Sequence, residues 1–266
     1  MPEKGRRIRV VPLKEARKGR IVFLVIAALF VAATVETKYN PLEFLFNMKN
    51  FWLFIFEDLV PPKVSDWHTI LKSLGQTFAM AVAATFVSSI VSLVLAFLGS
   101  YTTAPWKPMK KIIRFIASIG RNIPSMIWVF ILIMAFGIGN IVGVLALLIA
   151  TCGLLTRSFI EVIDEVGAES LESMRAVGAG RLATITQVIV PASLPGFVSW
   201  LMYGFEVNIR SSTLVGAVGG GGIGLLMTGF IKQFRYHSAM GVILLVAGTV
   251  ILVDILTNYL RKKVLS

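Results

Sequence analysis

One cysteine and two histidines are all that 266 residues hold of those two types. Cys152 lies alone in an apolar run, so no disulfide framework and no cysteine-based metal site can form within one chain, and it reads as a packing residue. His68 and His237 stand apart and no HExxH pattern occurs, which leaves metal catalysis without a constellation. No phosphate loop ending in Gly-Lys-Ser or Gly-Lys-Thr is present, so the chain has no recognisable ATP site and its energy must come from a partner or a gradient. Charge is scarce as well. Only 15% of residues are charged against 56% hydrophobic, and the mean hydropathy is +0.81. That balance excludes a soluble domain and suffices for about six membrane spans.

The net charge is +12. In a soluble chain this excess would point to nucleic acid, but here the basic residues gather beside the ends of apolar runs. That is the positive-inside pattern, and the partner it implies is the lipid bilayer. Residues 1–20 carry Lys4, Arg6, Arg7, Arg9, Lys14, Arg17, Lys18 and Arg20, and the apolar run Ile21 to Val35 follows at once. We read a basic cytoplasmic segment and then a first transmembrane helix over 21–38. Val31 and Ala33 would also suit a cleaved signal, but an uncleaved anchor is the preferred reading.

Residues 39–68 form an extracytoplasmic, aromatic segment with Phe44, Phe46, Phe51, Trp52, Phe54, Phe56 and Trp67, suited to a helix lying at the interface. A core follows over 69–260. Ser73 to Trp106 is free of charge and ends at a turn marked by Lys107, Lys110, Lys111 and Arg114. Asn122 to Thr156 is again uncharged, but Gly137, Gly139 and Asn140 divide it. Two spans need about 40 residues, so the third must begin near Ile112, which puts Arg121, Asn122 and Pro124 at membrane depth. An arginine there should face the protein interior or water. A fourth span is expected to end near Arg157. A fifth starts near Pro195 and places Glu206, Asn208 and Arg210 close to the bilayer centre, with Ser211, Ser212 and Thr213 beyond. The last span ends at a basic tail, residues 261–266.

Glu206 and Arg210 stand at i and i+4, the order in which a glutamate pairs best with a following cation on a helix. Arg121 has no acidic neighbour at helical spacing, so an anionic solute or a distant carboxylate is its natural partner. The run Gly216 to Gly224 contains Gly219, Gly220, Gly221 and Gly222. Its GxGxxG spacing follows an apolar helix rather than a strand, which rules out a dinucleotide fingerprint. Close packing with a gate hinge, and an anion-binding nest, remain as readings.

Residues 164–191 are the one long polar interruption late in the chain. Leu171, Met174 and Val177 share a helical face, Gly178 ends that short helix, and Leu182, Ile185 and Ile189 line a second one that Pro191 and Pro195 should stop. The spacing from Glu172 through Gly178 and Val188 to Pro191 resembles the cytoplasmic EAA loop of ABC-importer permeases. Ser173 and Met174 stand where two alanines are usual, and Val188 and Val190 replace isoleucine and leucine. The stretch Asn208 to Gly224 resembles phosphonate-importer permeases in particular, a family whose relatives carry phosphite.

The resemblance implies an all-α bundle of about six transmembrane helices, of the type I ABC-importer permease fold, in a bacterial inner membrane with both termini cytoplasmic. It implies a translocation subunit rather than an enzyme, with no cofactor of its own and with ATP and Mg on a partner ATPase. Glu169, Glu172, Arg175, Ala176, Val177, Gly178 and Pro191 would then form the coupling surface. Two ATPase subunits, a second and identical permease chain and an extracytoplasmic phosphonate-type binding protein complete the implied assembly. No nucleic acid is expected. A methionine permease, which shares a related glycine-rich segment, and a gradient-driven transporter using Glu206, Asp254 and Arg121 are the alternatives.

Overall fold

The computed structural model describes residues 13–64 and 66–265; the side chains at 13–16, 41–42, 169–173, 175 and 264–265 lie outside that description. Among the described residues every regular element is a helix, as expected. The chain divides into two units, residues 1–58 and 59–266.

In the first unit, α1 (Leu13–Thr37) starts inside the basic segment and carries the apolar run. Ile21 to Ile26, Leu29, Phe30 and Val31 are all exposed, so the helix is apolar all round and uncovered. Such a surface is at rest only in lipid. In α2 (Pro41–Leu53), Trp52 meets Phe51 edge to face at 5.6 Å and stacks on Phe56 at 5.9 Å.

The second unit begins its bundle with α3 (Trp67–Gly99), capped by Asp66. Hydrogen bonds from Thr69, its side chain first and its backbone second, hold the Asp66 carboxyl below the usual carboxylate range. The buried face of α3 is Thr77, Ala81, Ala84, Ser88, Ser92 and Ala96, small residues at steps of three and four. In a bilayer no water is expelled when helices meet, so close backbone approach is what holds them. The helix that approaches is α6 (Asn140–Ala176). Ser88 donates to the Leu148 carbonyl and Ser92 to the Cys152 carbonyl, each at 3.1 Å. Phe159, Leu155, Ile160 and Ile163 of α6 gather Ile113, Ile189 and Phe197 into one apolar core, and Met80, Val129, Val142, Leu147 and Val215 form another nearer Asn140.

Three expectations need correction. The third span is not continuous. It is α4 (Lys107–Asn122) and α5 (Ser125–Phe136), bent by 92° between them. Pro124 has no N–H to donate and forces Ile123 into extended backbone, φ −87° and ψ 119°, so the helix must stop there. Among the described residues five other helices are long and apolar enough to cross, and counting the bent pair as one span brings the number to six.

Second, α6 does not end near Arg157 but runs for 37 residues, about 55 Å, through the polar stretch to Ala176. Nothing before Gly178 breaks it: Gly167 lies within the helix and leaves room for Thr102, which stands where a side chain would be. Third, Pro191 and Pro195 do not stop a helix. After α7 (Arg181–Thr184) the chain makes a wide turn over Ile185–Ile189 and continues as α8 (Val190–Val215). A π-type turn ahead of Pro191 shifts the hydrogen-bond register, so the missing proline N–H breaks nothing. The remaining elements are a second wide turn, Gly216–Gly220, then α9 (Gly222–Lys232) and α10 (Tyr236–Leu265).

The crossing of α4 and α6 is made by Gly120 on Gly153. A Cβ on Gly153 would lie 2.5 Å from the Arg121 nitrogen and 2.6 Å from the Gly120 carbonyl carbon. Both are backbone atoms that cannot swing away. Gly153→Val should therefore destabilise by about 1 to 3 kcal/mol through overpacking. Gly248→Ala, with nothing within 4 Å, should be neutral or slightly stabilising. Thermal unfolding in detergent checks both, and equal melting temperatures for the two variants would contradict the assignment.

Candidate functional site

The polar residues of α8 sort into two groups. Asn208 is buried and clasps two other helices: its amide nitrogen donates to Thr85 at 2.8 Å and its oxygen accepts from Thr151 at 2.7 Å. Thr85 passes the chain on to the Ala81 carbonyl at 2.7 Å. Every polar atom of this clasp finds a partner, as a water-poor interior requires. Beside it lies a cavity of about 370 Å³. Arg121, Pro124, Asn208 and Ser211, four of the residues singled out from sequence, line it together with Ser125, Thr151 and Tyr203.

Arg121 reaches this cavity because α4 ends beside it and because Gly120 seats that end against Gly153. Among the described residues its guanidinium makes no hydrogen bond and no ion pair. The exposed guanidinium thus lies at a cavity that hydroxyl and amide groups also line, and its fork of N–H donors is free to bond an anion there.

Glu206 and Arg210 do form the expected i,i+4 pair, and they do not line that cavity. Glu206 is 8% exposed and faces a second cation, Arg261 of α10, at 3.9 Å. Sequence reading left Arg261 in a basic tail; α10 continues past it and turns it inward, and no local pattern announces this. Of the other pathway candidates, Ser212 is fully buried and donates to the Ile209 carbonyl at 2.7 Å. Thr213 lines a small apolar crevice with Ile209 and Val250, and Asn122 is exposed. Asp254, a relay candidate, accepts from Asn258 of its own helix at 3.4 Å.

The glycine run is a packed joint. Gly219, Gly221 and Gly222 have φ of +115°, +82° and +64°, a region closed to most side chains. The Gly222 N–H donates to Asn140 at 3.1 Å and the Ile223 N–H to Thr77 at 2.8 Å, while the Gly139 N–H reaches the Gly219 carbonyl at 3.0 Å. Two of the amides that an anion nest would need are thus already engaged, and the turn is tied to α3 and to the start of α6. Of the tying residues, Asn140 was legible in the sequence only as part of a helix break, and Thr77 carried no signal. Gly220 sits in the same joint, so close to Gly143 that a Cβ on the latter would overlap the Gly220 carbonyl.

At the far end of α6, Gly178 stands at φ +73°. The Ala179 N–H returns to the Met174 carbonyl at 3.0 Å, the six-to-one bond of a glycine-ended helix. Val177 is 75% and Leu182 78% exposed on this tip, and Ala176 and Pro191 are exposed too. The side chains of Glu169, Glu172 and Arg175 lie outside the described residues.

A family profile, that of the binding-protein-dependent transport system inner membrane component, matches residues 96–266. The chain belongs to this family. The phosphite transport system permease protein PtxC of Stutzerimonas stutzeri is 32% identical over 77% of this chain and 74% of its own length. The putative cryptic phosphonate transport system permease protein PhnE2 of Escherichia coli is 37% identical over 44% of this chain and 97% of its own. Among solved structures, the MetNI methionine ABC transporter superposes with a TM-score of 0.66 at 21% identity, over 76% of this chain and 99% of that one. The chain is thus the permease subunit of an ABC importer, a multi-pass inner-membrane protein. Such a permease works with an ATPase that binds the nucleotide and with a solute-binding protein, and it is no enzyme itself.

The clasp gives the permease a testable core. Asn208→Leu leaves the Thr85 and Thr151 hydroxyls facing an apolar side chain, and should lower stability by about 1 to 2 kcal/mol in detergent or lipid. Thermal unfolding measures it, and an unchanged melting temperature would show that the clasp does not hold the helices.

Proposed function

We propose that this permease imports phosphorus oxyanions, phosphite or phosphonates, along a pathway that includes the cavity at Arg121. The unpaired Arg121 guanidinium carries the reading. Its planar fork suits two oxygens of one phosphorus centre, and Ser211, Tyr203 and Asn208 supply neutral hydrogen-bonding groups around it. The names of the phosphite and phosphonate relatives support the same chemistry. One chain offers one coupling tip, so two identical chains would meet two ATPase subunits. The basic flanks at residues 4–20, 107–114 and 261–263 favour cytoplasmic termini. A solute-binding protein would deliver the oxyanion from outside, and ATP-driven closure would push on the Gly178 tip to alternate the access of the pathway.

Uptake into liposomes holding the permease, its ATPase and its binding protein tests the substrate class. Labelled alkylphosphonate should enter only with ATP and be displaced by phosphite but not by methionine. Displacement by methionine alone would keep the importer and discard the phosphorus chemistry.

Arg121→Ala should reduce uptake by about ten-fold while the complex still assembles, a loss typical of one charge-assisted contact. Equal loss of assembly would make Arg121 structural. Gly178→Asp forces a side chain onto a φ of +73° at the exposed tip. Insertion should persist while transport falls by about ten-fold or more, the scale of a coupling free energy. Unchanged solute-stimulated ATP hydrolysis by the assembled variant would contradict this.

A further inference from the structure

The turn between α3 and α4, residues 100–106, is held from several sides. Asp164 of α6 accepts from the Ser100 hydroxyl at 2.5 Å and from the Tyr101 N–H at 2.7 Å, and pairs with Arg114 of α4 at 2.5 Å. Arg114 donates to the Gly99 carbonyl at 3.0 Å and lies 4.0 Å over the Tyr101 ring. Thr103 donates back to the Phe97 carbonyl at 2.6 Å, and Thr102 fills the space over Gly167. These bonds tie the turn to the end of α3, to α4 and to α6.

The remaining hold comes from the polar tip. Arg181, the first residue of α7, donates through Nη2 to the Thr103 carbonyl at 3.0 Å and to the Ala104 carbonyl at 2.6 Å. Beside these bonds is a cavity of about 350 Å³, bordered by Tyr101, Thr102, Ala179, Thr184, Ile185 and Ile189. The tip therefore meets the turn through a guanidinium beside a gap, while Ile185 and Ile189 behind it pack on the apolar core around Ile113. On its other side the tip joins α8 by the wide turn Ile185–Ile189. From the turn, α4 leads on for 16 residues, about 24 Å, and ends at Arg121.

We propose that Arg181 is a positioning residue that carries displacement of the coupling tip into α4, and through α4 to Arg121 at the cavity. The inference rests on the importer mechanism proposed above. Pushing the tip moves α7, the two charge-assisted bonds draw the 100–106 turn with it, and the helix that follows shifts as a rod. A charged donor on two backbone carbonyls suits this task, because the carbonyls are fixed by the chain and the bonds are short. Arg181 thus sits between the exposed tip and the helix that carries Arg121 to the cavity.

The test compares the complete complex with Arg181→Ala, Arg181→Lys and Asp164→Asn, reading four quantities: ATPase bound per permease, melting temperature, solute-stimulated ATP hydrolysis and uptake. Arg181→Ala should bind its ATPase normally, melt within a few degrees of the parent and hydrolyse ATP within about two-fold of it. Uptake per ATP should fall about ten-fold, the scale of a coupling free energy. Arg181→Lys, with one compact donor group, should recover part of that loss. Asp164→Asn should also lower the ratio, and the double variant should be less than additive, because both residues hold the same turn.

Loss of the ATPase from the Arg181→Ala complex would overturn the proposal by placing Arg181 in the docking surface itself. A parallel fall in melting temperature and uptake, with no rescue by lysine, would overturn it by making the residue structural. An unchanged uptake ratio would do so directly. A parent complex with no ATP-driven uptake removes the transport reading and this inference together, and differs from all of these because the defect is present before any substitution.

Discussion

A bilayer supplies no hydrogen bonds and no hydrophobic gain when helices meet, and the whole bundle answers to that constraint. Helices must be brought so close that dispersion holds them, and each polar atom inside must be matched within the protein. Both demands are met by the same residue types. The serines and threonines of α3 are small enough to let α6 approach, and their hydroxyls return to backbone carbonyls of their own or the neighbouring helix. Glycine does the rest at the tightest places, Gly120 on Gly153 and Gly143 on Gly220. The matching is not complete, since the Trp128 ring N–H and the Ser193 hydroxyl are buried without a partner, while Arg121 keeps its guanidinium exposed at the cavity.

The stretches legible in the sequence are those where one residue type decides the backbone. Gly178 ends α6, and Gly137 to Asn140 separate two helices, because a positive φ leaves few alternatives. The pairing of Glu206 with Arg210 was legible too, since it needs only helical spacing. Continuity was not. That α6 runs on past Arg157 to Ala176 has no marker at Arg157, and whether Pro191 ends a helix depends on a wide turn ahead of it that no residue type announces. Pro124 was placed at membrane depth, but its effect on direction needed the 92° bend to be seen.

The candidate site was legible by ingredients and not by grouping. Arg121, Pro124, Asn208 and Ser211 do share a cavity, whereas Ser212 and Thr213, their neighbours in sequence, turn to a carbonyl and to an apolar crevice. Helical rotation explains the split: one step along α8 turns a side chain by about 100°, so Ser212 and Thr213 are carried away from the face that Asn208 and Ser211 share. Residues that bind through tertiary geometry alone, Asp164, Arg114 and Arg261 above all, looked like ordinary flank charges.

The unbroken length of α6 gives it two arms of unequal reach about its closest contact with α4. Gly153, wedged on α4, stands nearer one end, with about 20 Å of helix running to Asn140 and about 35 Å to Ala176. A tilt of about 10° about that point would swing the Ala176 end by roughly 6 Å and the Asn140 end by roughly 3 Å the other way, on a rod of this rise. Asn140 is bonded to the Gly222 amide, so the short arm is fastened to the glycine joint. A displacement of the long arm would reach that joint reversed in sense and reduced to about half its size.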